Sequence, residues 1–289
     1  MSGVSGLTDG QLANFRADGF CFPVDVLSEG EAEELARDVN RHLSRSAEIE
    51  GELGALAFGP KIHLLWPWAD ELIRHPALLR VAEDIVGPDI LVWGTSIFTK
   101  RPGDDTDLAW HQDALTYELG GADLAAFRVW LALTPTGPEN GTLRFAVGTH
   151  RQGVLPHRRF AAASQRLRGD ETIFDEETVQ QRDVVLRPGQ ASLHNMLIVH
   201  CSGVNSSDSP RLNFAVDYVA AKVRPAGGHP DSALLVRGKN VHDHFALESP
   251  PRTGMDADAV AEWRRAVRLR LRRLRTAHET NIKTGTLIQ

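Results

Sequence analysis

The sequence predicts a mainly β protein with flanking α-helices, its strands forming an antiparallel sandwich or barrel. Three observations carry that expectation. From about residue 90 to 223 the chain holds short runs of β-branched and aromatic residues punctuated by Pro and Gly, the signature of many short strands. On either side, within residues 8–87 and about 256–280, apolar residues recur three and four apart instead, the helical period. No repeat and no domain-scale linker interrupts the 289 residues, so 1–289 reads as one domain with its β core at about 90–223.

Element by element, Thr8-Asp9-Gly10-Gln11 and Ser28-Glu29-Gly30-Glu31 both fit the capping box, in which a hydroxyl and a carboxyl or amide satisfy opposite backbone N–H groups of a helix start. The first opens a short helix with Leu12 and Phe15 inward, stopped at Gly19. The second opens a longer one, with Leu35, Val39 and Leu43 on one face. Phe20 to Val26 reads as a strand between them, and residues 76–86 as a further helix striped by Leu78, Leu79, Val81, Ala82 and Ile85. Strands are then expected at Ile90–Lys100, Arg128–Thr134, Thr142–Val147, Val184–Leu186, Ala191–His194, Leu197–Cys201 and Arg211–Val223. Residues 161–182 are polar and read as an inserted loop, a candidate lid, and 224–255 as loop. Asp256 to Thr280 is a helix with Val260, Trp263, Val267, Leu271 and Leu274 on its apolar side and seven arginines between Arg264 and Arg275, whose stems can cover apolar surface.

Bulk properties exclude several functional classes. A net charge of −6 argues against a nucleic-acid binder. No run approaches the roughly 20 apolar residues of a membrane span, and Met1 to Gly10 lacks the basic and apolar regions of a secretory signal. Two cysteines, Cys21 and Cys201, are too few for a disulfide scaffold and suit a reducing cytoplasm.

The chemistry concentrates at Trp110-His111-Gln112-Asp113 and His200-Cys201-Ser202. His111 and Asp113, two apart, point to one face of a strand or its frayed end. With His200 from another strand they supply two imidazoles and a carboxylate, the set that binds Fe(II) on one face and leaves positions open for a cosubstrate and O2. Gln112 points the other way and reads as structural. The dense turn signal Ser202 to Pro210 predicts a hairpin that returns Arg211, eleven residues after His200, to the same level. Arg211 lies among Leu212, Phe214 and Val216, so its guanidinium is expected to be buried and to need an anion, which it can take bidentately. Such an anion would be the far carboxylate of 2-oxoglutarate, and Ser202 can add a hydroxyl donor to it. His194 has no arginine eleven residues on and is assigned beside the site or in the core.

H-x-D, then H-x-S-x-x-N-x-S ending in Arg211, resembles the phytanoyl-CoA dioxygenase family of Fe(II)/2-oxoglutarate oxygenases. Trp130-Leu131-Ala132-Leu133, Glu139-Asn140-Gly141-Thr142-Leu143-Arg144 and Gly148-Thr149-His150-Arg151 agree with it, and the agreement runs from about residue 8 to 250. The resemblance implies a double-stranded β-helix (jelly roll, cupin-like) with iron at one mouth, a role for Lys61 near the cosubstrate, and, because Asp113 retains the carboxylate that halogenating relatives lack, hydroxylation or another oxidation rather than halogenation. Trp130 reads either as a ring stacked near the cosubstrate or as a core residue of a central strand. The cofactors so implied are Fe(II), 2-oxoglutarate and O2. The expected partner is a small-molecule substrate, an anionic one among the candidates given the cationic cluster His150, His157, Arg158 and Arg159. No nucleic acid and no membrane partner is expected, and monomer and homodimer both stay open. So do desaturation, epimerisation or cyclisation from the same cofactors, and a jelly-roll binding protein without 2-oxoglutarate turnover.

Overall fold

The computed structural model describes residues 6–46, 59–117, 125–159, 170–225 and 230–288. In chain order come helix α1 (Asp9–Asp18), strand β1 (Phe20–Asp25), helices α2 (Glu29–Ser46), α3 (Pro67–Ile73) and α4 (Pro76–Val86), strands β2 (Ile90–Lys100) and β3 (Leu108–His111), and the single turn α5 (Ala114–Tyr117). Strands β4 (Ala126–Ala132), β5 (Leu143–Ala146), β6 (His157–Arg159), β7 (Asp170–Thr172), β8 (Gln181–Asp183), β9 (Gln190–Asn195), β10 (His200–Ser202), β11 (Arg211–Ala220), β12 (Ser232–Arg237) and β13 (Ala246–Leu247) follow. Helix α6 (Ala257–Lys283) and strand β14 (Leu287–Ile288) end the chain.

Both capping boxes form: Thr8 Oγ1 accepts from Gln11 N while Thr8 N donates to the Gln11 side chain, and Ser28 and Glu31 exchange the same pair of bonds. Each satisfies backbone donors that a helix start leaves orphaned. One sheet runs in the order β1-β9-β4-β11-β2-β12-β13, and a second, smaller one runs β3-β10-β5-β8. Between these sheets lies an apolar cluster of Phe20, Trp130, Ala132, Leu143, Phe145, Val184, Leu186, Ile198 and Ala215. The outward face of the large sheet (Phe127, Val129, Leu131, Phe214, Val216, Tyr218) packs against Leu72, Ile73, Leu78, Val81 and Ala82 of α3 and α4. Strand alternation therefore splits the fold into a helix-covered face and an inner, inter-sheet face. That is the sheet-rich, helix-flanked jelly roll the sequence implied.

Five details differ from the sequence expectations. Of the strand expected at Leu197–Cys201 only His200 and Cys201 lie in one, β10, because Leu197 to Val199 form the turn that leads from β9 into it. Val184 and Leu186 belong to no strand: β8 is Gln181–Asp183, and Leu186 makes an isolated bridge to Thr136. Their apolar character serves burial between the sheets, not strand pairing. The stretch 224–255 is not all loop, since β12 extends the large sheet beside β2; a short apolar run flanked by Pro and Gly had masked it. The stretch 161–182 contains β7 and part of β8, and its residues 161–169 lie outside the described residues. Residues 203–210 are not a hairpin: β10 and β11 sit in different sheets, so this segment crosses from one to the other.

Candidate active site

The inner face is read directly from register. Within the large sheet Arg211 stands opposite Lys100, Asn213 opposite Phe98 and Ala132, Ala215 opposite Trp130, and Asp217 opposite Gly94 and Arg128. Trp130 in turn faces Ser192, and Arg128 faces His194. Opposed residues share a face, so these side chains form one polar strip looking at the small sheet. There, β10 holds His200 between His111 of β3 and Phe145 of β5.

His111, Asp113 and His200 come together, with one ligand-type atom from each within 4.8 Å of the others, all three residues buried. His111 is the last residue of β3, and Asp113 lies just past the strand, where Ala114 N donates to Met196 O and starts α5. Gln112 points away and fastens this segment: its amide donates to the Gly153 and Leu197 carbonyls and its oxygen accepts from Leu155 N. His111 Nδ1 lies 2.9 Å from the Ala109 carbonyl and His200 Nδ1 3.1 Å from that of Ile198. A carbonyl only accepts, so both Nδ1 atoms carry the proton and both Nε2 lone pairs are left for a metal. The two rings are 4.1 Å apart, centre to centre. Burial pushes the His200 imidazolium down to about 3, which keeps it in the neutral, ligating form. For Asp113 burial pushes the carboxyl up, but Arg128, with His194, His200 and His111, outweighs it and holds it well below the usual carboxylate range. The donor set is thus charged and protonated as a divalent cation requires.

At the other end of the strip sits Arg211. Its Nη1 donates to Gly141 O and to Ser202 Oγ (3.2 Å), and its guanidinium lies over the Trp130 ring at 5.4 Å. Burial pushes its pKa down to about 10. Ser202 Oγ itself donates to Gly141 O, so this hydroxyl steadies Arg211. Arg211 Nε, Trp130 Nε1, Ser192 Oγ and Asn213 Oδ1 are buried without a hydrogen-bond partner among the described residues, while His194 Nε2 faces Asp113 Oδ2 at 3.8 Å. Buried polar atoms of this kind are normally satisfied. Collected on one face, between three metal-type donors and a guanidinium, they fit a polar guest with negatively charged ends, and so fit 2-oxoglutarate beside Fe(II).

Lys61 is not brought into this group. Its ammonium donates to Trp93 O, Ser232 O and Glu248 Oε1, at 2.7, 2.9 and 2.6 Å, which uses all three of its protons. It is a buried ion-pair residue tying residue 61 to β2 and β12. The sequence reasoning missed Lys100, which stands opposite Arg211 and donates to the Thr106 and Gly203 carbonyls. Burial, then the Arg211 charge, pushes its ammonium down to about 8. Period-two alternation from Ser96 and Phe98 marks Lys100 as inward. Arg128 and Asp217 were also missed, although a charged residue inside an apolar strand is itself a signal. The expected cationic cluster does not assemble: His157 is buried between Leu155 O and Thr172 Oγ1, and His150 approaches Arg16 O.

Comparison with known proteins agrees with this geometry. The family model described as phytanoyl-CoA dioxygenase (PhyH) matches residues 15–213. A probable alpha-ketoglutarate-dependent hypophosphite dioxygenase of Stutzerimonas stutzeri is 26% identical over 219 residues, 71% of this chain and 74% of that protein. Among solved structures, the non-heme monooxygenase ThoJ in its apo form superposes with a TM-score of 0.84 at 39% identity, covering 93% of this chain and 99% of the other. CytC3 with Fe(II) and alpha-ketoglutarate shares the fold, with a TM-score of 0.66 at 22% identity over 87% of this chain and 96% of the other.

Proposed function

Since this chain belongs to the phytanoyl-CoA dioxygenase family, we propose that it hydroxylates an unactivated C–H bond of a small-molecule substrate, consuming 2-oxoglutarate and O2 and releasing succinate and CO2. It is an Fe(II)/2-oxoglutarate-dependent dioxygenase; the C–H target and the hydroxylated product are the proposal. Bound iron supplies the activation of O2 and the oxidation of substrate at the expense of the 2-oxoglutarate keto acid.

The chain's own residues do the rest. His111, Asp113 and His200 hold the metal through two Nε2 atoms and a carboxylate oxygen. Arg211 pairs with the far carboxylate of 2-oxoglutarate, Lys100 adds a second positive charge, Ser202 holds the guanidinium in register, and Trp130 gives it a flat wall. Phe98, Leu143 and Phe145 exclude water from the inner face. A cytoplasmic setting suits the two free thiols. No helix among the described residues is long and apolar enough to cross a membrane.

One observation carries the reading: two imidazoles and a carboxylate converge at one end of a polar strip whose other end is a buried guanidinium. The test is a panel of small molecules screened anaerobically loaded and then exposed to O2, scored by succinate and by a product 16 Da heavier, the mass of one oxygen atom (about 16 Da for this chemistry). Succinate dependent on Fe(II), with that product, supports the proposal. Succinate with a product of unchanged or lower mass overturns hydroxylation, and no 2-oxoglutarate turnover with any metal overturns the oxygenase assignment.

A further inference from the structure

The family match ends at residue 213, yet the C-terminal helix α6, far beyond it, sends two arginines into the protein interior. We propose that Arg270 is a positioning residue of the metal centre, acting through Asp217 and Arg128 to fix the Asp113 carboxylate. The inference rests on the reading of His111, Asp113 and His200 as metal ligands.

The observations form a path of alternating charge. Asp113 Oδ2 lies 2.7 Å from Arg128 Nη1. Arg128 then forks onto Asp217, with Nε to Oδ1 at 2.6 Å and Nη2 to Oδ2 at 3.1 Å. Beyond Asp217 comes Arg270. A β-carbon built on Gly94, the residue opposite Asp217 in β2, would stand 2.8 Å from Asp217 Oδ2 and 2.7 Å from Arg270 Nη1. Both atoms thus border the space that a side chain at position 94 would fill, which places the Arg270 charge within about 5.5 Å of Asp217 Oδ2 without a direct hydrogen bond from Nη1. The ladder register also shifts between Asp217 and Tyr218, which bends the strand at this point. Arg270 is itself clamped: its guanidinium stacks 4.1 Å above the Trp93 ring, Trp93 Nε1 donates to Asp231 at 2.6 Å, and Asp231 pairs with Arg273 Nη1 at 3.4 Å. None of Asp113, Arg128, Asp217, Arg270, Asp231 and Arg273 is more than 6% exposed.

Burial gives the path its consequence. In a low-dielectric interior each charge is held by its neighbours, and removing one leaves the next uncompensated. Asp217 pairs directly with Arg128, and the nearby Arg270 charge offsets part of its pull, so that Arg128 Nη1 stays with Asp113. Asp217 facing Arg128 alone draws the whole guanidinium toward itself, and Asp113 Oδ2 loses its partner. Asp113 Oδ1 lies 3.8 Å from His111 Nε2 and Oδ2 3.9 Å from His200 Nε2, so holding Oδ2 with Arg128 sets how the carboxylate is turned between the two imidazoles. The C-terminal helix thereby completes a centre whose ligands all lie before residue 201.

The experiment uses the full chain and Co(II) as the probe, with affinity read by calorimetry, ligand geometry by the Co(II) visible spectrum, and folding by thermal melting. Arg270→Met and Gly94→Ala are each expected to weaken Co(II) binding by roughly tenfold or more and to alter the spectrum. Arg270→Lys restores a cation and part of the affinity, while Arg268→Met, on the exposed face of the same helix, binds as wild type. If Arg270 merely anchors the helix, Arg270→Met melts lower but binds Co(II) with unchanged affinity and spectrum, which overturns the proposal. Should Arg270→Met not fold, Arg270→Gln, which keeps a donor and loses the charge, decides by the same two readouts. Wild-type protein that binds no Co(II), or binds it as well after His111→Ala, would instead sink the metal-centre reading itself.

Discussion

Arg211→Met isolates the cosubstrate anchor, because methionine keeps most of the side-chain volume while removing the charge and the paired donors. Arg211 is 3% exposed, and its hydrogen bonds go to the uncharged Gly141 carbonyl and Ser202 hydroxyl. A dicarboxylate therefore brings a counter-charge that those two contacts do not supply. Losing one partner of a buried, hydrogen-bonded charge pair costs about 2–5 kcal/mol. Lys100 stays behind to face the carboxylate, so the lower part of that range applies, about 2–3 kcal/mol, or roughly 30- to 150-fold in Kd at 1.4 kcal/mol per decade. Stability should change little, since relief of a buried cation offsets the lost contacts. The assay is calorimetric titration of 2-oxoglutarate onto Ni(II)-loaded protein, where no turnover complicates the isotherm. Arg211→Lys, a point charge without the fork, should recover part of the loss. A Kd within threefold of wild type, with Ni(II) binding intact, would refute the assignment of Arg211 to the cosubstrate.

Asp113→Ala, which removes the one carboxylate of the triad, should abolish stoichiometric Ni(II) binding by calorimetry, and a variant that still binds one equivalent tightly would count against the ligand set. Lys100 is charged below a pKa of about 8 and neutral above it, so 2-oxoglutarate affinity should fall as pH rises from 7 to 9. The expected loss is about fivefold, the share of an ion pair worth about 1 kcal/mol, and Lys100→Arg should flatten the profile; a wild-type profile already flat over that range refutes the role. Lys61→Met should cost stability rather than catalysis. Burial pushes the Glu248 carboxyl up, and Lys61 with His63 outweighs it and holds it at about 2, so losing the ammonium strands a buried charge at about 3–5 kcal/mol, read by urea denaturation. Gly141→Ala should weaken 2-oxoglutarate binding through the loop: Gly141 has φ +75°, and a β-carbon there meets Gly203 O at 2.5 Å, displacing the carbonyl that Arg211 uses. Unchanged affinity in that variant would detach the loop from the anchor.

Legibility varied with the range of the interaction that sets each feature. Both capping boxes, the helix over 76–86 and the strand over 90–100 were readable because their causes lie within one or two turns of chain. The grouping of His111, Asp113 and His200 was readable because residue types and spacing together suit one chemistry, and the structure places Ser202 and Arg211 between the same two sheets. Lys61 was misplaced because a lysine in sequence carries no sign of what receives it, and Glu248, 187 residues away, does. Lys100 was overlooked for the complementary reason: its worth comes from standing across the ladder from Arg211. Strand β12 escaped notice because its four-residue apolar run, Ala233 to Val236, is ambiguous until an edge of a sheet is there to accept it.

By itself, then, the sequence determined the alternation that separates an inner from an outer sheet face, the helix starts, and the ligand chemistry at residues 111, 113 and 200. Tertiary structure alone decided which cation faces Arg211, that residues 203–210 cross between sheets, and that α6 places Arg270 beside the Asp217–Arg128–Asp113 series. The reason is physical: periodicity and capping are energies of neighbours along the chain, whereas the pairing of buried charges is an energy of neighbours in space, and it is written only when the sheets close.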